Sequence, residues 1–167
     1  MDEAAKKTAL RMIPYGIYVL SAREGDGTPH AATVNWVTQT SFGPPLLAIA
    51  VKADSGVYAA LKASGKGALS ILGKGQVGPA FTFFKPVTVD GNTLSGEAVR
   101  DGANGAPILE SAPASVEVSV QQVVEKGDHH VFIVEVTDAT VAKAPEGRPD
   151  DAVLAMRDLG DKVFYGG

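Results

Sequence analysis

The chain has no cysteine among its 167 residues. That excludes disulfides, thiolate nucleophiles, and zinc or iron–sulfur centres built on sulfur. It also fits a cytoplasmic location, where disulfides are rare. Histidine is scarce: only His30, His129 and His130 occur. The last two are adjacent and on a strand would point to opposite faces, so no metal site is expected. The H-E-x-x-H and G-x-S-x-G patterns are missing, which removes support for a metalloprotease or a hydrolase elbow. No apolar run approaches the ~18 residues of a membrane span. Asp2, Glu3, Lys6 and Lys7 leave the N-terminus without the apolar stretch of a secretory signal. The expectation is a soluble chain with no membrane partner, folded as a single domain over residues 1–167.

Positive charge is also in short supply, with 15 Lys and Arg against 19 Asp and Glu. A net charge of −4 argues against nucleic acid as a partner. The distribution is uneven. Between His30 and Val89 stand Lys52, Lys62, Lys66, Lys74 and Lys85 against the single acid Asp54. From Asp90 onward there are fourteen acids and six bases. A lysine-rich middle suits a small anion such as a phosphate, and it equally suits solvated helix and loop surfaces.

What is present reads mostly as β. Tyr15 to Ala22 is rich in β-branched and aromatic residues, and a Gly-Asp-Gly turn follows. Residues 31–41, AATVNWVTQTS, read as one strand dense in Thr, Asn, Gln and Ser. After Phe42-Gly43-Pro44-Pro45 comes an apolar strand over residues 46–51. Asp54-Ser55 predicts a helix N-cap and Gly65 its stop. Residues 68–72 read as a strand, and residues 73–86 as an irregular segment with Phe81, Phe83 and Phe84. Val116, Val118 and Val120 alternate with polar residues, and Glu125 to Asp128 turns the chain into VFIVEV. Residues 1–12 and the C-terminal segment each predict a short helix. Gly73-x-Gly75-x-x-Gly78 matches the dinucleotide fingerprint, but Pro86 leaves no room for the long helix that motif requires. Many short strands with few helices predict a small barrel.

Three stretches, in order, resemble the flavin reductase family. They are Pro14-Tyr15-Gly16-Ile17-Tyr18-Val19-Leu20-Ser21, then residues 32–41 with Pro44-Pro45, then Gly127-Asp128-His129 leading into VFIVEV. Ala106-Pro107-Ile108-Leu109 and the closing Phe164-Tyr165-Gly166 also resemble it, so the likeness covers residues 12–167. The chain departs from the family at Phe42-Gly43, at Asn35-Trp36 and in the extra His130.

The resemblance implies a mainly β fold, a six-stranded antiparallel split β-barrel of Greek-key type with a few short flanking helices. It implies a homodimer that binds FMN or FAD and uses NADH or NADPH as reductant, passing hydride from nicotinamide to flavin N5. A partner monooxygenase or redox protein is implied as the user of the reduced flavin. Flavin is flat and apolar with a polar pyrimidine edge, so a strand mixing an aromatic with amides and hydroxyls suits it. Thr33, Asn35, Trp36, Val37, Thr38, Gln39 and Ser41 are the expected contacts. The same strand also reads as a solvent-facing edge with Trp36 in the core. Lys52 and Ser55, with Lys85 as the alternative, are the expected phosphate ligands, though Ser55 also reads as a plain helix cap. His129 is the expected catalytic residue, beside the nicotinamide. A non-catalytic FMN-binding electron-transfer protein is the competing reading. A pyridoxamine-phosphate-oxidase-like enzyme is disfavoured, since no arginine lies between Arg23 and Arg100.

Overall fold

Capping residues set where the helices begin and end. The computed structural model describes residues 1–167. Helix α1, Glu3–Arg11, opens at Asp2, whose carboxylate accepts from the Ala4 and Ala5 N–H groups. Helix α2, Gly56–Ser64, opens at Ser55 and closes at Gly65, which takes the left-handed φ of 69° that glycine adopts without strain. A third helix, α3, Val77–Thr82, interrupts the segment expected to be irregular. Two single turns of 3-10 helix, Pro149–Ala152 and Met156–Leu159, replace the C-terminal helix of the expectation.

The first seven strands along the chain are β1 (Tyr18–Arg23), β2 (Pro29–Val34), β3 (Val37–Ser41), β4 (Leu46–Lys52), β5 (Lys66–Ile71), β6 (Val89–Asp90) and β7 (Thr93–Leu94). Then come β8 (Glu97–Asp101), β9 (Pro107–Leu109), β10 (Ala114–Val124) and β11 (His129–Val141). The main sheet has seven strands in the order β2-β1-β5-β10-β11-β4-β3, paired antiparallel throughout. A second, four-stranded sheet runs β6-β7-β8-β9.

The count of seven corrects the expected six. The run over residues 31–41 is not one strand: it breaks at Asn35-Trp36, where the Val37 N–H turns back to the Asn35 carbonyl at 3.1 Å. Its two halves then pair at opposite edges of the sheet. Laid flat at ~4.8 Å per strand, such edges would stand about 29 Å apart. Three residue steps from Val34 to Val37 reach at most about 11 Å. The sheet therefore curls until its edges nearly meet, and Asn35-Trp36 spans the remaining gap.

Curling gives the sheet an inside and an outside, and β1 is buried on both. Leu20 and Ala22 face the interior with Ile49, Val51, Leu69, Val118, Phe132 and Val134, and α2 adds Val57, Tyr58, Ala60 and Leu61. Each large side chain so buried contributes about 1.5–3 kcal/mol. Ile17, Val19 and Leu72 face outward into a second cluster with Ala80, Phe83, Leu94, Leu109, Leu154 and Leu159. That outer layer ties α3, the small sheet and the C-terminal turns to the barrel wall.

Candidate functional site

The break between β2 and β3 creates the site. Asn35 is buried and its side-chain N–H donates to the Tyr165 carbonyl at 3.2 Å. The Trp36 ring lies 4.7 Å from His129, 5.5 Å from Tyr165 and 6.4 Å from Tyr15, centroid to centroid. His129 opens β11 after a turn at Gly127, whose φ of 86° suits glycine, and it stands opposite Lys52 at the end of β4. The structure thus brings together the expected residues Asn35, Trp36, Lys52 and His129.

Hydrogen bonds fix the proton on His129. Its Nδ1 is 2.8 Å from Asp128 Oδ1, and its Nε2 is 2.6 Å from the Tyr165 hydroxyl. A carboxylate can only accept, so Nδ1 carries the proton, and in the neutral ring Nε2 accepts from Tyr165. The bond to His129 holds the Asp128 carboxyl below its ordinary range. Burial holds the Tyr165 phenol above its ordinary value, helped by Asp128 and Asp54 and opposed by Lys52. These opposite shifts keep Asp128 an acceptor and Tyr165 a donor.

The other expected residues are placed as follows. The Thr33 hydroxyl donates to the Ala80 carbonyl at 2.7 Å, which ties β2 to α3. Val37, Thr38, Gln39 and Ser41 form β3, an edge strand, with Thr38 and Gln39 exposed. An edge strand leaves backbone groups on its outer side without strand partners. The Ser55 hydroxyl donates to the Lys52 carbonyl at 2.7 Å and accepts from the Tyr58 N–H at 3.2 Å, so it caps α2. Lys52 lies 3.3 Å from Asp54. Lys85 is exposed beside Phe84, which lines a narrow cleft with Thr33, Asn35 and Tyr165.

One atom is out of balance. Trp36 Nε1 is the one buried side-chain polar atom without a hydrogen-bond partner. Such an orphan costs about 1–3 kcal/mol, and because the tail at Gly166 lies against this atom, an acceptor reaches it only when the tail shifts. Aromatic walls, an unused donor and a free strand edge fit a flat ring with carbonyl acceptors on its rim. The residues present therefore fit a flavin.

Sequence reasoning did not single out Tyr165, Asp128 or Tyr15 as site residues. Tyr165 reaches His129 from 36 positions away and Asn35 from 130, a proximity that no local pattern encodes. Only the resemblance of Phe164-Tyr165-Gly166 hinted at a role for the tail.

Comparison with known proteins gives the site its context. Residues 10–159 match the family model described as flavin reductase like domain. A probable flavin reductase of Rhizobium meliloti is 31% identical over 136 residues, covering 81% of this chain and 43% of that protein. A flavin reductase of Pseudomonas putida is 28% identical over 151 residues, 90% of this chain and 84% of that protein. An NADH:FAD oxidoreductase of Streptomyces globisporus superposes with a TM-score of 0.73 at 26% identity, covering 92% of this chain and 87% of that one. The chain spans less than half the length of the Rhizobium relative. The matched residues contain both the break at Asn35-Trp36 and the His129 hairpin, and the chain belongs to the flavin reductase like domain family.

Proposed function

We propose that this chain is an NAD(P)H:flavin oxidoreductase that binds FMN or FAD against Trp36 and β3. The observation that carries the reading is the Trp36–His129–Tyr165 cluster with its unpartnered indole N–H, in a chain of this family. A bound flavin would supply the hydride acceptor, at its N5, for a nicotinamide donor. The chain's own residues have little acid–base work to do, and positioning carries the rate. Trp36 supplies a wall and a donor, and the outer backbone of β3 and the side chains of Thr38 and Gln39 supply polar partners. Lys52 and the first N–H groups of α2 hold the phosphate, with Ser55 shaping that helix end and Lys85 the alternative cation. His129, its tautomer set by Asp128, offers Nε2 to the nicotinamide carboxamide once Tyr165 moves aside.

In this reading the curled sheet is a split barrel, with β2 and β3 as one strand broken at residues 35–36. Residues 1–167 act as a single domain. A second copy of the chain covers exposed apolar groups such as Phe42, which is 95% exposed, and the face of α1, which has no buried residue. The cysteine-free composition supports a cytoplasmic place, and a monooxygenase is the partner class that consumes reduced flavin. No helix is long and apolar enough to cross a membrane.

The test is flavin-dependent oxidation of NADH and NADPH by the wild type and by Trp36→Ala. Oxidation that saturates with FMN or FAD, with a flavin KM raised about tenfold or more in the variant, supports the reading. Absence of flavin-dependent oxidation in the wild type contradicts it.

A further inference from the structure

A cavity of about 400 Å³ lies between the end of α1 and the C-terminal tail, bounded by residues 11–15 and 155–165. Its size falls in the range of ~300–1,000 Å³ that holds small organic ligands. Its lining divides by chemistry. Met12, Ile13, Met156 and Phe164 give apolar residues, while Arg11 and Arg157 are the two basic residues of the lining and Asp161 the single acid. Neither arginine forms an ion pair, whereas Arg23 and Arg148 each do. The Arg11 guanidinium lies 4.1 Å over the Phe164 ring, held there by a 3.4 Å bond from Nε to the Gly166 carbonyl. A last-turn arginine has an ordinary explanation in the helix dipole. That explanation covers neither its stacking on the tail nor the second arginine in the lining.

The cavity also adjoins the site already described. Tyr165 lines it and bonds to His129, and Tyr15 lines it and faces Trp36. A ligand whose head lies at Trp36 and His129 can therefore extend its remainder past the two tyrosines. Two guanidinium groups beside an aromatic and two methionines suit a diphosphate joined to a flat base. The family match ends at residue 159, before Phe164 and Tyr165.

We propose that this cavity binds the adenosine diphosphate half of the nicotinamide dinucleotide, with Arg11 and Arg157 as the diphosphate ligands and Phe164 as the surface for the base. This rests on the reading of the chain as a nicotinamide-dependent flavin reductase. In FAD the phosphate next to the ribityl chain is the one already placed at Lys52 and α2, so the cavity is assigned to the nicotinamide dinucleotide, and FAD is an outcome of the test.

The substrates are NADH and N-benzyl dihydronicotinamide, a hydride donor without phosphate, each with FMN and with FAD. Wild type is compared with the double variant Arg11→Ala/Arg157→Ala and with Arg11→Lys/Arg157→Lys. The ratio of kcat/KM for NADH to that for the benzyl donor should fall about tenfold or more in the alanine variant, with lysine intermediate. A fall of that size in the FAD-to-FMN ratio, with the donor ratio level, assigns the cavity to FAD and overturns the proposal. Direct binding of ADP, followed by the fluorescence of the sole tryptophan, Trp36, checks the site without turnover. ADP should bind the wild type and lose about tenfold or more in the alanine variant. Ratios that stay level in both arms, or ADP affinity equal in wild type and variant, overturn the proposal. Failure of the wild type to oxidise either donor sinks the reductase reading instead, and the ADP titration then decides the cavity alone.

Discussion

At the scale of single residues, the chemistry converges on His129 and its two partners. If Tyr165 occupies the Nε2 position that a nicotinamide carboxamide needs, two substitutions move KM in opposite directions. His129→Ala should raise KM for the nicotinamide about tenfold and lower kcat, because donor and flavin lose register. Tyr165→Phe keeps the ring against Trp36 but removes the hydroxyl, and should lower KM a few-fold; steady-state kinetics on both variants check this. Asp128 contributes to the acid limb of stability together with Asp26, Glu125 and Asp150, whose carboxyls are also held low. Its folded pKa is depressed by the bond to His129, so its contribution is present above the unfolded carboxyl pKa of ~3.9 and lost as pH falls through the folded value. Asp128→Asn should therefore flatten the fall of Tm below about pH 4, measured by thermal melts across pH. Tyr165, raised by burial, gives the opposite limb: its contribution is present below pH ~10 and lost above it.

At the scale of elements, legibility tracked the range of the interaction. Helix α2 could be read from sequence because its signals are local: Ser55 caps one end and Gly65 the other. Ser55→Ala should cost about 1 kcal/mol in denaturant unfolding, the usual worth of such a cap. β10 and β11 were legible through the alternation of Val116, Val118 and Val120 and the turn before His129. Residues 31–41 read as one strand in the sequence because composition reports strand propensity, not which neighbour a strand pairs with. Only their pairing with β1 and β4, next to opposite edges of the sheet, reveals the break. β6 and β7, two residues each, are too short to show a period at all. β5 carries a constraint of a different kind. A Cβ on Gly67 would meet Leu61 Cδ1 at 2.8 Å and the Ser21 carbonyl at 2.9 Å. Gly67→Ala should therefore destabilise by about 1–3 kcal/mol, because α2 must shift away from the barrel wall.

At the scale of the whole molecule, curling of the sheet and construction of the site are one event. The two residues that join the sheet's edges, Asn35 and Trp36, are also those that meet the C-terminal tail and His129. Flavin binding should accordingly protect the barrel seam. Added FMN or FAD should raise Tm in proportion to the logarithm of its concentration above Kd, as any ligand specific to the folded state does. The most direct measurement is the visible spectrum of the protein with FMN, without oxygen, before and after NADH and then NADPH. Flavin absorbance that travels with the protein through gel filtration, and bleaches at catalytic rates with one of the two nicotinamides, is the predicted result. Flavin that neither nicotinamide bleaches in the presence of the protein, so that only dithionite reduces it, would contradict it.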